Sequence, residues 1–395
     1  MRITFVLPGI GFSGGIRTVY ECSNRLIDKG HEVNIVYPLL IEKFRVRRGL
    51  RTWLESFLIM VRRLRLGREV RWFKLKAKII RIPFFSPRFA KRLPPSDVII
   101  ATAAETARFV ADLKGSFGQK LYFVQHYETW GIWNDPQCWE LLGDRPSQAM
   151  PQVEPPDLQL KSYKQRLDRT YRLPLKIFTT SSWLRELIEN NFGQKVIGRV
   201  EIGNDAAFFS CQQSVEKRGD LILMPFRGEI WRGDQDGIAA LVQVRQVKPT
   251  IKVALFGSGL HRHQAPDWAE YHADLSDEAL RDLYCRADLF VLPSWVEGWC
   301  SPPMEAMSCG TACVSTQMGA LADYSVPGQT VILVPPREPD KLAKACLELL
   351  DDRQKRERIA RAGHDCIQQF TWERTANQME KIFYLLVSSH ETKED

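Results

Sequence analysis

Residues 288–316 run DLFVLPS at 288–294, EGWCSPPMEAMSCG at 297–310 and TACVST at 311–316, which reads as buried strand, loop, short helix and second buried strand. The adjacent prolines Pro302 and Pro303 suit the first turn of a helix, where a missing N–H costs nothing. Outward from this unit the same alternation continues. Leu221 to Phe226, Val253 to Phe256 and Val331 to Val334 are further strand runs, and helical spacing recurs near 236–247, 277–286, 302–309 and 340–351. The order predicts a doubly wound parallel sheet.

The first half repeats the arrangement. Ile3 to Leu7 is a strand run, a glycine loop follows, Ile16 to Lys29 has helical spacing and stops at Gly30, and Val33 to Tyr37 is the next strand. Asp97 to Thr102, Leu121 to His126 and Lys176 to Ser181 add three more, while 134–156 reads as a loop over the first domain's site. Periodicity breaks over 203–219. The expected organisation is a Rossmann-like domain over 1–205, a second over 206–370 and a C-terminal helical stretch over 371–395.

Composition agrees with two such domains. At 395 residues, 44% hydrophobic and 26% charged, the chain is neither disordered nor a small disulfide-stapled scaffold. Nine scattered cysteines without a CxxC pair read as reduced thiols, and the opening ITFVLP reads as a strand instead of a signal peptide, so a cytoplasmic protein is expected. The net charge of +8 is uneven. Residues 43–92 carry seventeen Lys or Arg against Glu55 and Glu69, or +15, so the remainder is negative. This basic/apolar insertion at 42–92 interleaves Trp53, Leu54, Phe57, Leu58, Trp72, Phe73, Ile79, Ile80 and Phe84 with its cations. That mixture suits an anionic membrane surface, with packing on the domain as the alternative; nucleic acid is not expected.

Gly9, Gly11 and Gly14 spell the dinucleotide G-x-G-x-x-G, but the second strand ends Ile35-Val-Tyr-Pro38 without the carboxylate that would hold a ribose. What remains is that Gly14 and Gly15 open a helix whose N–H groups can meet an anion. In the second half, Glu297 in a loop and Glu305 in a first helical turn offer bidentate acceptors for sugar or ribose hydroxyls. The loop N–H groups of Gly298, Trp299, Cys300 and Ser301 offer donors for an anion. Asp234-Gln-Asp236 has D-x-D metal spacing, yet it sits where a helix begins and where carboxylates serve as caps. His261 and His263 have no acidic or Cys partner at metal spacing and read as surface residues.

The Glu297-to-Glu305 stretch resembles the E-x7-E signature of the retaining glycosyltransferases of family 4 (glycosyl transferases group 1). The similarity spans nearly the whole chain: the glycine loop at 14–15, Gly30-His-Glu-Val33, the EAM and CG-x-x-x-V context at 305–314, and the C-terminal helix. It implies the GT-B fold, α/β with two facing Rossmann-like domains and a final helix crossing back to the first. By resemblance Glu297 would contact the transferred sugar, Glu305 the nucleotide ribose, Arg227 and Arg232 the diphosphate, and His126 the sugar from the first domain. Relatives usually show Lys where Arg232 stands. The usual EGFGLP is here EGWCSP, the acidic residue after the next strand is Asp323, and the end of the first domain reads Gly203-Asn-Asp205.

The resulting expectation is a metal-independent, cofactor-free glycosyltransferase. It would move a sugar from a nucleotide-diphosphate donor to a lipid-linked or glycan acceptor with retention, in polysaccharide or glycolipid synthesis, peripherally at the inner face of the membrane. The alternatives are a nucleotide-sugar epimerase or hydrolase of the same fold and a non-catalytic nucleotide-binding protein.

Overall fold

Short apolar runs that alternate with amphipathic helices can bury both faces of a parallel sheet, and two such sheets form. The computed structural model describes residues 1–40, 72–114, 117–133, 135–140, 150–211 and 220–391, with single positions 54, 58, 61 and 70. The chain divides into two compact units, one of Met1–Ile132, Glu154–Gly203 and Trp372–Asp395, the other of Trp133–Val153 and Asn204–Thr371.

In the first unit the strands are β1 (Arg2–Val6), β2 (Glu32–Pro38), β3 (Lys78–Ile82), β4 (Val98–Ala101), β5 (Gln119–Val124), β6 (Lys176–Thr179) and β7 (Val196–Arg199). They lie in the order β3-β2-β1-β4-β5-β6-β7, parallel throughout. Helix α1 (Gly14–Asp28) crosses from β1 to β2, α2 (Ala104–Asp112) from β4 to β5, α3 (Leu158–Thr170) precedes β6 and α4 (Ser182–Phe192) precedes β7. In the second unit β8 (Leu221–Pro225), β9 (Lys252–Gly257), β10 (Glu270–Ala273), β11 (Leu289–Leu292), β12 (Ala312–Thr316) and β13 (Ile332–Val334) are ordered β10-β9-β8-β11-β12-β13, again parallel. Among the described residues its α-helices longer than five residues are α5 (Asp234–Val247), α6 (Asp277–Arg286), α7 (Pro302–Ser308), α8 (Pro339–Asp351) and α9 (Arg353–Ile367). Met224, Leu241, Val244, Val291, Val314, Leu342 and Leu349 are among the side chains of its core between sheet and helices.

Four readings from sequence change. Most of the basic insertion lies outside the described residues, but its end is part of the fold. Lys78–Ile82 is edge strand β3, and Trp72 stacks on Tyr20 of α1 at 5.3 Å while its Nε1 donates to the Ile10 carbonyl at 3.0 Å. Within 134–156, short helical turns occupy Pro136–Glu140 and Met150–Gln152, while 134 and 141–149 lie outside the described residues. Helix α9 went unread because it is polar on most of its surface, with Ile359, Gly363 and Ile367 facing inward. Last, the cysteines are not all reduced: Cys211 and Cys285, 74 residues apart, form a disulfide. That pairing has no local sequence signal.

The last helix, α10 (Trp372–Glu391), packs on α1. The buried His31 ring donates from Nε2 to Glu380 at 2.7 Å, and Arg374 pairs with Glu201 at 2.6 Å. The His31 hydrogen bond is the main reason the Glu380 carboxyl sits below the ordinary carboxylate range, with Lys29 adding to it. Because the folded pKa is depressed, this stabilisation is complete above the unfolded value near 4.3 and is lost as pH falls through the folded one. Glu380→Gln is therefore expected to lower Tm by about 2–4 °C at neutral pH, corresponding to about 1 kcal/mol, with the difference from wild type closing below about pH 4. Calorimetric scans across pH check this, and a difference that does not depend on pH would sink it.

Candidate active site

In an open parallel sheet the crevice lies at the carboxyl ends of the strands, where their order reverses. In the second unit that point is between β8 and β11. The chain leaves β8 as Phe226-Arg227-Gly228 and leaves β11 as Pro293-Ser294, so Arg227 and Ser294 emerge side by side.

The β8–α5 loop is held open by its own residues. Asp234, buried at the start of α5, accepts the Arg227 and Gly228 N–H groups at 2.8 and 2.6 Å. Burial pushes its carboxyl up and those two bonds oppose the shift. Gly233 turns the chain at φ +67°, and a Cβ there would lie 2.0 Å from the Pro293 carbonyl oxygen, so only glycine fits. This turn presents Arg232, whose guanidinium lies 3.8 Å above the centre of the buried Trp231 ring. The Trp295 N–H donates to the Trp231 carbonyl at 2.9 Å, tying the β11 loop to the β8 loop.

Glu297 is where the two loops meet. Its side chain is 8% exposed, and its Oε1 accepts from Arg232 Nη1. Arg227 Nη1 lies 3.7 Å from the same oxygen, and the Ser294 hydroxyl donates to it at 3.1 Å. Burial lowers the Arg232 guanidinium and Glu297 opposes it; Arg227 is also pulled down by burial, but Glu297 and other neighbours leave it raised. Both stay cationic in the accessible range. Two guanidiniums thus converge on one carboxylate oxygen past the carboxyl end of β8.

Glu305 has a separate support. It lies in the first turn of α7 and accepts from the Tyr284 hydroxyl of α6 at 3.0 Å. The intervening loop turns inward: the Trp299 ring is buried against Tyr324 at 5.3 Å, with Nε1 on the Met304 sulfur at 3.0 Å. Trp299 therefore offers the crevice its main chain and not its ring. Cys300 takes φ +73°, a left-handed conformation unusual for a side-chain-bearing residue, and its carbonyl accepts from Tyr324 at 2.9 Å. Burial first, then Glu297, push its thiol well above the ordinary range. Gly298 is buried and Ser301 half-buried beside them. Among the sequence-predicted residues, the structure therefore gathers Arg227, Arg232 and Glu297 in contact and holds 298–301 and Glu305 on the same loop and helix.

The other three lie in the first unit. Gly14 and Gly15 open α1 after Ser13, whose hydroxyl caps the Ile16 N–H at 3.3 Å. A Cβ on Gly15 would lie 3.3 Å from the Gln125 amide, so the glycine permits close approach. His126 follows β5, and its Nδ1 donates to the Tyr127 carbonyl at 2.9 Å. Two residues on, Glu128 accepts the Ala104 N–H at the start of α2 at 2.7 Å; burial and then Glu105 hold its carboxyl well above the usual range.

Sequence reading missed three supports: Ser294, Trp231 and Tyr284. Ser294 ends a recognised strand and was reachable, whereas Tyr284 meets Glu305 only through the fold. Asp236 accepts from Trp295 Nε1 at 2.6 Å, so each aspartate of Asp234-Gln-Asp236 has a protein donor. His261 is corrected too. Its ring packs on Gly228, where a Cβ would meet Nδ1 at 2.1 Å, which places it against the Arg227 loop and not on open surface.

Parts of the chain are similar to known proteins. Residues 212–365 match the family model Glycosyl transferases group 1. Over 220 residues the chain is 29% identical to glycogen synthase from Mycobacterium tuberculosis, covering 52% of this chain and 53% of that one. It is 34% identical over 119 residues to O-antigen chain mannosyltransferase B from Escherichia coli, covering 30% and 31%. The chain thus spans about half the length of the first of these relatives and less of the second. The fold likeness extends further. Sucrose-phosphate synthase from Thermosynechococcus elongatus superposes with a TM-score of 0.68 at 17% identity, covering 98% of this chain and 99% of that one. Anabaena HepE, solved in complex with UDP-glucose, gives 0.67 at 15% identity, covering 98% and 100%. The fold is GT-B, and the similarity to the Glycosyl transferases group 1 model lies in its second half.

Proposed function

We propose that the chain is a hexosyltransferase that moves a sugar from a nucleoside-diphosphate donor held by the second unit to a lipid-linked or glycan acceptor. The observation that carries this reading is the convergence of Arg227 and Arg232 on Glu297 at the switch point. Two fixed cations beside a diphosphate stabilise the charge that develops as it leaves, so no enzyme nucleophile is required. In this reading Glu297 contacts the sugar, Glu305 takes the ribose hydroxyls, and the N–H groups of 298–301 face the phosphates. The acceptor hydroxyl attacks the face that the diphosphate leaves, passes its proton to a phosphate oxygen, and configuration is retained. The guanidinium pair does the electrostatic work a divalent ion would do, so transfer proceeds in the presence of a chelator. His126 serves the transferred sugar, and Gly14 and Gly15 serve donor binding.

The group 1 match, the glycogen synthase and mannosyltransferase relatives, and the UDP-glucose complex of HepE support donor class and reaction type. The basic insertion supports a membrane-surface acceptor; among the described residues no helix is long and apolar enough to cross a membrane. A thermal-shift screen of nucleoside diphosphates tests the donor site. One base is expected to raise stability by about 2.7 kcal/mol at 100 times its dissociation constant, with or without Mg²⁺. No rise with any nucleotide overturns the reading, and donor consumption without acceptor would favour a hydrolase or epimerase. Flotation with vesicles is expected to depend on anionic lipid, and its absence removes the membrane partner.

A further inference from the structure

Three cysteine sulfurs in the second unit, those of Cys211, Cys285 and Cys309, lie within 4.8 Å of one another, with Cys211 and Cys285 joined as a disulfide. They come from separate elements. Cys211 follows the Asn204–Thr371 bridge, Cys285 lies in the last turn of α6 and Cys309 caps the end of α7. Cys285 and Cys309 are buried while Cys211 is half-buried, so the group has access from one side. A buried cysteine is ordinarily a small core hydrophobe. A third sulfur beside a disulfide has a chemistry of its own, because a thiolate attacks a disulfide sulfur through direct approach.

The placement links that chemistry to the candidate site. Tyr284, which donates to Glu305, is the neighbour of Cys285 in the chain. The Cys309 N–H donates to the Glu305 carbonyl one turn away at 3.1 Å. The disulfide joins Cys211 to α6, the helix that holds the Glu305 carboxylate.

We propose that Cys211, Cys285 and Cys309 form a thiol–disulfide exchange site whose state sets how firmly Glu305 is held for the nucleotide; the second part rests on the function proposed above. In the exchange step the Cys309 thiolate attacks one sulfur of the 211–285 bond. A new S–S bond forms, the old one breaks, and the displaced thiolate takes up the proton. Net oxidation of the reduced site uses a low-molecular-weight disulfide such as oxidised glutathione. Two protein thiols become one disulfide, and the oxidant leaves as two thiols.

The test equilibrates the full chain in reduced and oxidised glutathione, followed by acid quench, alkylation and peptide mapping. Wild type is expected to yield the 211–285 linkage, Cys211→Ser a 285–309 linkage and Cys285→Ser a 211–309 linkage. Both variants remaining fully alkylated at ratios that oxidise wild type would overturn the site. So would one equivalent of zinc held by three thiols with no disulfide peptide. UDP calorimetry on the same samples is expected to show three- to tenfold weaker binding after reduction of wild type, and no change on reducing Cys285→Ser. Equal affinity in both states of wild type overturns the coupling. No binding of UDP or of any other nucleoside diphosphate in either state is instead a failure of the nucleotide reading, and the peptide map still decides the cysteine site.

Discussion

Glu297→Ala is expected to lower sugar transfer at least a hundredfold. The carboxylate holds two guanidiniums and one hydroxyl at the place where the leaving diphosphate and the sugar would meet. Groups that stabilise developing charge at a preorganised site are worth about 10²–10³ each in turnover. A structural role alone would also cost something, since removing one member of a buried ion pair destabilises by about 3–5 kcal/mol. Arg227 and Arg232 keep 29% and 18% of their side chains exposed, so water softens that penalty here. Glu297→Gln separates the two roles. It keeps the shape and one acceptor oxygen, so Tm should fall by only a few degrees and UDP should still bind, while kcat falls with the charge. Steady-state kinetics beside calorimetry make the comparison. A folded Glu297→Gln chain with near-normal kcat would show that Glu297 only positions the arginines.

The parts of the fold that sequence revealed are those where burial leaves a continuous apolar signal. β1, β4, β11 and β12 are central strands with nearly every position buried, and they read as apolar runs. The strands that escaped, β3, β7 and β10, are all at sheet edges, where KIIRI, VIGR and EYHA are mostly half-exposed and mix polar with apolar residues. α9 escaped for a similar reason, and its buried Arg356 serves the fold by donating to the Leu349 carbonyl at the end of α8 at 2.7 Å. In the candidate site, Glu297 and Glu305 share a local spacing, while Arg227 and Arg232 were singled out by the family resemblance at the end of a readable strand. Their supports are long-range. Tyr284 is 21 residues from Glu305, and Trp231 from β8's loop meets Trp295 from β11's only through strand order. The Cys211–Cys285 bond belongs to the same class, since odd, scattered cysteines carry no pairing rule.

Arg232→Ala and Arg227→Ala should each reduce kcat by about 10²–10³, or about 2.7–4 kcal/mol of transition-state stabilisation. The two losses should not add. Both guanidiniums address the same Glu297 oxygen and, in the proposed complex, the same diphosphate, so the double variant should fall well short of the product of the singles. Arg232→Lys distinguishes charge from geometry. A lysine keeps the cation but gives up the planar fork and much of the stacking on Trp231, so an intermediate loss is expected. The ligand series sharpens the test: each alanine variant should bind UDP more weakly than wild type while binding uridine, which lacks the diphosphate, with unchanged affinity. Added salt should weaken UDP binding to wild type more than to the variants, because screening acts on the charge pair that the substitution has already removed. Parallel losses for uridine and UDP would mean that the arginines hold the loops together and do not touch the leaving group, and the proposed chemistry would then lose its electrostatic basis.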